Sequence, residues 1–140
     1  MKLLSNITDT LHRDLYNFSS ERLKKEGLTT GLMYFILHVA KNPECTPMDL
    51  CEALALDRAY ALRCLKKLTA EDFILRRPHP TDGRASILTL TEKGERVFHE
   101  CRQLLFDWDE SRLSALDEGE KETLFALLSK VVKTEGEKVL

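Results

Sequence analysis

Enzyme signatures are missing from these 140 residues: there is no GxxxxGK[ST] phosphate loop, no GxGxxG turn, no GxSxG elbow and no HExxH helix. Metal motifs are missing too. Four cysteines stand at 45, 51, 64 and 101 without a CxxC pair, and His12, His38, His79 and His99 have no HxxxH spacing, so neither a metal nor another cofactor is expected. Aromatic residues make up only 7% of the chain, with one tryptophan. No apolar run approaches the ~18 residues that a membrane span needs. The opening segment is amphipathic and carries Asp9 and Asp14, which is not the pattern of a secretory leader. The expectation is a cytoplasmic protein with reduced thiols and no membrane partner.

What is present is an uneven charge. The formal net charge is −2. Between Asp57 and Arg84, however, seven basic residues stand against four acidic ones, and from Thr91 onward eight face twelve. A cationic segment on an acidic body fits one face that meets phosphate and a remainder that stays soluble.

Hydrophobic spacing supplies the elements. Leu4, Ile7, Leu11, Leu15 and Phe18 recur at helical steps, giving a first helix to about Lys25, with Gly27 as its stop. Thr29 or Thr30 starts a second helix that Asn42-Pro43 ends. Thr46-Pro47-Met48-Asp49 combines a capping threonine, a first-turn proline and an acid at the third position, opening a short helix to about Ala55. Asp57 caps the next, about Arg58 to Glu71. Phe73-Ile74-Leu75 and Ile87-Leu88-Thr89-Leu90 read as the arms of a β-hairpin, with Arg76 to Arg84 between them as a long loop. Thr91 caps a helix reaching toward Leu113, and Asp117 with Glu120 forms a capping box for the last one. The fold class predicted is mostly α with a small β-hairpin wing, in one domain spanning 1–140.

Two helices joined by Leu56-Asp57 must cross steeply, as in a helix-turn-helix. The second carries Ala61, Leu65 and Leu68 inward and shows Arg58, Ala59, Tyr60, Arg63, Lys66 and Lys67 outward. Residues near the start of a recognition helix enter the major groove, which puts Ala59, Tyr60 and Arg63 nearest the bases. Arg63 suits guanine as a bidentate fork, and the Tyr60 ring suits a thymine methyl. Arg58, Lys66 and Lys67 suit phosphates. In the hairpin loop Arg84 suits a narrow minor groove. Arg77, His79 and Thr81 add backbone contacts, and Asp82 is expected to form a salt bridge that aims an arginine. The partner implied is double-stranded DNA.

The first helix and the last two carry more apolar surface than a small winged helix can cover. Such a face usually marks a partner surface, and a symmetric homodimer is the commonest solution.

From Leu54 to Gly94 the sequence resembles the multiple-antibiotic-resistance regulator (MarR) family of bacterial transcription factors. The matching residues are Leu56-Asp57-Arg58, Leu68 with Phe73-Ile74-Leu75-Arg76, the wing Asp82-Gly83-Arg84-Ala85, and Leu88-Thr89-Leu90-Thr91-Glu92-Lys93-Gly94. The resemblance implies a winged-helix homodimer with its core at about 29–92 and dimerisation helices at about 1–25 and 93–140. It also implies a pseudopalindromic operator, usually repressed, with Arg84 as a DNA contact. Family members often have glycine where Asp72 stands and a small hydroxyl residue where Tyr60 stands. They commonly respond to small aromatic or anionic compounds, oxidants or metals, in a pocket between the dimer helices and the winged domain. His12, Tyr16, Tyr34 and His38 are the candidate lining residues for an aromatic, acyl or anionic effector, with Phe98 and Trp108 behind them. The peroxide-sensing branch keeps a cysteine on its first helix, and this chain has none there. Cys45, ahead of a helix N-terminus, is the remaining thiol candidate, against a purely structural role. The competing class is a winged-helix interaction module that binds a ligand or protein without operator DNA.

Overall fold

Side-chain caps set where the helices begin. The computed structural model describes residues 2–132. Its elements are α1 (Leu4–Lys25), α2 (Thr30–Lys41), α3 (Pro47–Ala53), α4 (Arg58–Ala70), β1 (Ile74–Pro78), β2 (Ser86–Leu90), α5 (Glu92–Arg112) and α6 (Glu118–Val131). Every helix but α1 starts on a capping side chain: Thr29, Thr46, Asp57, Thr91 and Asp117 each accept a backbone N–H from the first turn. At Thr46 and Asp117 the third residue returns the bond, completing a capping box.

Three helices end alike. After α1, α3 and α4 the chain turns through a left-handed residue, respectively Gly27 (φ 74°), Ala55 (φ 50°) and Asp72 (φ 64°). In each, the next residue's N–H reaches back five positions: Leu28 to Leu23, Leu56 to Cys51, Phe73 to Leu68. This is the Schellman arrangement, with its apolar contact between the bonded residues. It ends α3 at Ala53, two residues before the sequence-based limit, because the C-terminal carbonyls are satisfied by turning and Leu56 is drawn back toward the core.

Two compact units are distinguished, Met1–Leu105 and Phe106–Leu140. The first holds the core. Its centre is α2, whose Leu32, Met33, Phe35, Ile36 and Val39 are buried. Leu50 from α3, Leu65 and Leu68 from α4, Phe73, and Leu88 from β2 pack around them. The hairpin is antiparallel, from Ile74 opposite Leu90 to Pro78 opposite Ser86. On the other side of β2, Cys45 makes a single bridge to Leu88: the Leu88 N–H donates to the Cys45 carbonyl at 2.8 Å, and the neighbouring Glu44 N–H donates to the Leu88 carbonyl at 2.9 Å. The hairpin is thus pinned to the segment that leads into α3. Arg76, Arg77 and Pro78 belong to β1, not to the loop as the sequence implied. A proline is tolerated there because β1 is the edge strand and Pro78 is its last residue. In the second unit α6 has no buried residue among those described.

Candidate nucleic-acid interface

Asp57 orients α4 by accepting the Tyr60 N–H at 3.1 Å. Ala61, Cys64, Leu65 and Leu68 face the core. Ala59, Arg63 and Lys66, spaced four and three residues apart, form the stripe opposite it, and all three are exposed. The remaining candidates sit on the flanks. Arg58, with Leu62, turns toward the hairpin. Lys67 is exposed on the far flank.

Tyr60 departs from expectation. A Cβ added to Gly31 of α2 would lie 3.4 Å from the Tyr60 hydroxyl, so that hydroxyl is turned back onto the first turn of α2. A hydrogen bond with the Cys64 thiol, then the thiol's charge, push its pKa above the ordinary value. The phenol thus lies beside the start of α2 while the residue stays 41% exposed.

A groove of about 380 Å³ runs between α3, α4 and the hairpin. Arg58, Arg76 and Arg84 line it together with Asp82, Ser86, Met48 and Leu62. Arg76 was not among the sequence candidates. Strand alternation places it on the same face as Leu88, its cross-strand partner, and sends Arg77 to the opposite face. Arg76 Nε donates to Ser86 Oγ at 2.7 Å, which aims the guanidinium along the groove. None of Arg58, Arg63, Lys66, Lys67, Arg76, Arg77 and Arg84 forms an ion pair among the described residues. Seven cations therefore stand un-neutralised on one helix and one hairpin.

The loop at 79–85 is internally bonded. His79 N–H donates to the Ala85 carbonyl at 3.1 Å, and Ala85 N–H to the Asp82 carbonyl at 3.2 Å. The Asp82 carboxylate accepts the Arg84 N–H at 3.0 Å. It makes no ion pair among the described residues, so Asp82 shapes the Arg84 turn through the backbone instead of through the salt bridge the sequence implied. His79 Nδ1 accepts the N–H groups of Thr81 and Asp82 at 3.2 and 3.0 Å. His79 Nδ1 and the Thr81 N–H are thus engaged within the loop.

The effector candidates lie in two pairs, one on α1 and one on α2. His12 and Tyr16 are exposed on α1, Tyr34 is partly exposed on α2, and His38 is half-buried with Nδ1 3.5 Å from Asn42 Nδ2. Burial raises the Tyr34 hydroxyl pKa. None of the four lines the groove by the wing, nor a second groove lined by Glu26, Lys93, Arg96, Val97, His99 and Glu100. Phe98 and Trp108 are half-buried on α5. All four cysteines are free and buried. Burial and then Asp49 push the Cys45 thiol up to about 11, so it is protonated at neutral pH. That removes the basis for a reactive thiolate there. Among the described residues no cluster of three metal-ligating side chains exists.

The MarR family profile matches residues 26–85, from the end of α1 through the wing turn. The HTH-type transcriptional regulator BilQ of Clostridium symbiosum is 42% identical over 127 residues, which cover 91% of this chain and 88% of that protein. The chain belongs to the MarR family. The multiple antibiotic resistance protein MarR of Escherichia coli is 29% identical over 84% of this chain and 86% of its own. Among solved structures, the transcriptional regulator SlyA superposes with a TM-score of 0.87 at 24% identity, covering 94% of this chain and 93% of that one. A mutant of E. coli MarR complexed with operator DNA superposes with a TM-score of 0.81 at 25% identity, covering 92% and 93%. The MarR fold is mostly helical, with six helices and a two-stranded wing among the described residues. The MarR family consists of transcriptional regulators, not enzymes. No described helix is long and apolar enough to cross a membrane.

Proposed function

We propose that this protein binds a pseudopalindromic operator as a homodimer, with α4 in the major groove and the wing in the adjacent minor groove. The observation that carries this reading is the set of un-neutralised cations. Arg63 and Lys66 stand on the outward stripe of α4, and Arg58, Arg76 and Arg84 line one groove beside it. Unpaired cations on a protruding helix and hairpin are what phosphate contacts require. Ala59 and Arg63 read base edges. Arg58, Lys66, Lys67 and Arg77 hold phosphates, and Arg84 enters the minor groove. Tyr60, His79, Thr81 and Asp82 belong to the same surface, chiefly by holding α4 and the wing in shape.

The whole chain acts as one MarR-like domain. The homodimer is supported by the apolar side chains left exposed on α1 and α6. The family's habit supports a cytoplasmic repressor that an aromatic, acyl or anionic effector releases. His12, Tyr16, Tyr34 and His38 are the proposed lining of its pocket.

The deciding experiment recovers DNA from a random pool with the purified protein, then measures affinity for the selected duplex across a salt series. A steep fall in affinity with salt is expected. Failure to select any sequence, or a flat salt response, would favour the interaction module. Effector binding is read from Trp108 fluorescence during titration with phenolic and acyl compounds, where a flat response across chemically diverse compounds would remove the pocket.

A further inference from the structure

We infer that His79 is a positioning residue for the wing, holding the Arg84 turn through the lone pair of a neutral Nδ1, so that acid loosens the wing from within. The inference rests on the proposed role of Arg84 at DNA. Two backbone N–H groups, from Thr81 and Asp82, converge on Nδ1 at 3.2 and 3.0 Å, and the Thr81 hydroxyl lies 3.4 Å away. An atom that accepts two amide protons carries no proton of its own, so the ring proton is on Nε2. The bonds then run in series. The ring fixes the Asp82 N–H, the Asp82 carboxylate fixes the Arg84 N–H at 3.0 Å, and the Asp82 carbonyl fixes the Ala85 N–H at 3.2 Å. His79 N–H closes the circuit on the Ala85 carbonyl. Arg84 follows directly from a backbone that the imidazole holds.

Protonation at Nδ1 replaces the acceptor with a third N–H aimed at the other two. The ring and the loop cannot both stay in place, and the Arg84 turn loses two of its supports. Histidine is the side chain suited to such a change between pH 5 and 8. The charged groups around the loop are Asp82 and Arg84 within it, Arg76 and Arg77 on β1, and Arg58 facing it across the groove from α4; β2 contributes none.

Asparagine separates this role from bulk or charge. Its Oδ1 occupies the place of Nδ1 and accepts hydrogen bonds at any pH, whereas glutamine carries its acceptor one bond farther out. The test compares the full-length protein with His79→Asn, His79→Gln and His79→Ala, using the DNA selected by the wild type. At pH 8, His79→Asn is expected to match the wild type. His79→Gln and His79→Ala are expected to bind roughly three- to tenfold more weakly, the scale of one or two neutral hydrogen bonds. Between pH 8 and 5.5 the wild type is expected to lose affinity relative to His79→Asn, a difference that cancels the titration of the other histidines. Nitrogen chemical shifts of the ring give a readout without DNA: an Nε2–H tautomer at pH 8, with the Thr81 and Asp82 amides titrating alongside the ring in the wild type alone. An Nδ1–H tautomer would overturn the inference. So would identical pH profiles for the wild type and His79→Asn where Arg84→Ala does weaken binding. If Arg84→Ala itself binds normally, the minor-groove reading of the wing fails, and the ring tautomer still decides the role of His79.

Discussion

Gly94 has no room for a methyl group. A Cβ there would lie 2.1 Å from the Phe73 carbonyl oxygen, which is rigid backbone. Its own N–H is held by Thr91 Oγ1 at 3.0 Å, and that hydroxyl donates in turn to the carbonyls of Asp72 and Phe73. The Leu-Thr-x-x-Gly element was visible in the sequence, but its reason appears only where α5 meets the end of α4. Gly94→Ala is expected to cost about 3 kcal/mol or more, at the upper end of overpacking, as read by urea unfolding. The proposed DNA-contact residues divide in the same way. Arg63 and Arg84 were legible because exposed cations on a helix face and a loop need no tertiary information. Arg76 was not, because its face depends on a strand register that only the folded hairpin sets. Arg84→Ala is expected to weaken operator binding by about 1.5–3 kcal/mol, the range of a bond to a charged group, with the oligomeric state unchanged in sedimentation. Arg63→Ala should lower discrimination at its base pair by about 1–3 kcal/mol, measured as the affinity ratio of matched and mismatched duplexes. Unaltered selectivity would take Arg63 out of the readout. The thiols lead to an opposite expectation. With Cys45 pushed up to about 11 and Cys101 to about 12, both by burial first, peroxide and diamide should leave operator affinity unchanged.

Helix ends show how far local signals reach. All five capping starts were readable, because the capping oxygen and the N–H it accepts lie within one turn of sequence. Of the three left-handed endings, Gly27 announced itself and Asp72 was marked by the family's usual glycine there, but Ala55 was not foreseen. Nothing about alanine marks Ala55 for a positive φ; that conformation is imposed when Leu56 folds back to Cys51. Ala55 and Asp72 therefore hold a geometry that costs an L-residue energy. Ala55→Gly and Asp72→Gly are each expected to stabilise by up to about 1 kcal/mol, less the larger entropy glycine loses on folding, while Gly27→Ala destabilises by about 1 kcal/mol. Thermal melts of the three variants check the signs, and a loss of stability at Ala55→Gly would show that the turn is not strained. The box at the start of α3 adds a pH dependence. The Thr46 N–H, donating to Asp49 at 2.9 Å, is the first cause holding that carboxyl below its ordinary 3.8. A depressed carboxyl contributes stability that is present in full above 3.8 and lost as the pH falls through the lower folded value. Asp49→Asn should flatten that part of the acid unfolding curve.

Uncovered apolar surface sets the outer helices α1 and α6 apart from the rest of the chain. α6 has fourteen residues and none of them buried among those described, with Phe125, Leu127, Leu128 and Val131 all exposed. A helix that short is marginal in water without a packed face. On α1, Leu4 is 55% exposed and Ile7 52%, although the same helix buries Leu23 near its other end. Each unit of the chain thus leaves one apolar face uncovered, which a second copy would bury. The sequence conveyed the excess of apolar surface; it could not say which residues the chain would cover by itself, since that depends on how α1 meets α2. Ile7→Glu and Leu127→Glu, tested separately, place a charge on each face without touching the core of the first unit. Each is expected to shift the protein toward monomer in sedimentation velocity, while far-ultraviolet dichroism stays close to that of the wild type. Operator binding should then fall far more than from removing any single DNA contact, because two linked half-sites become two independent ones. The salt response distinguishes this from misfolding. The slope of log affinity against log salt scales with the phosphates neutralised, so a monomer on a half-site should show about half the dimer's slope. A variant that remains dimeric with an unchanged slope would exclude its helix from the interface, and a variant that dissociates but keeps the full slope would mean that one copy alone makes all the phosphate contacts.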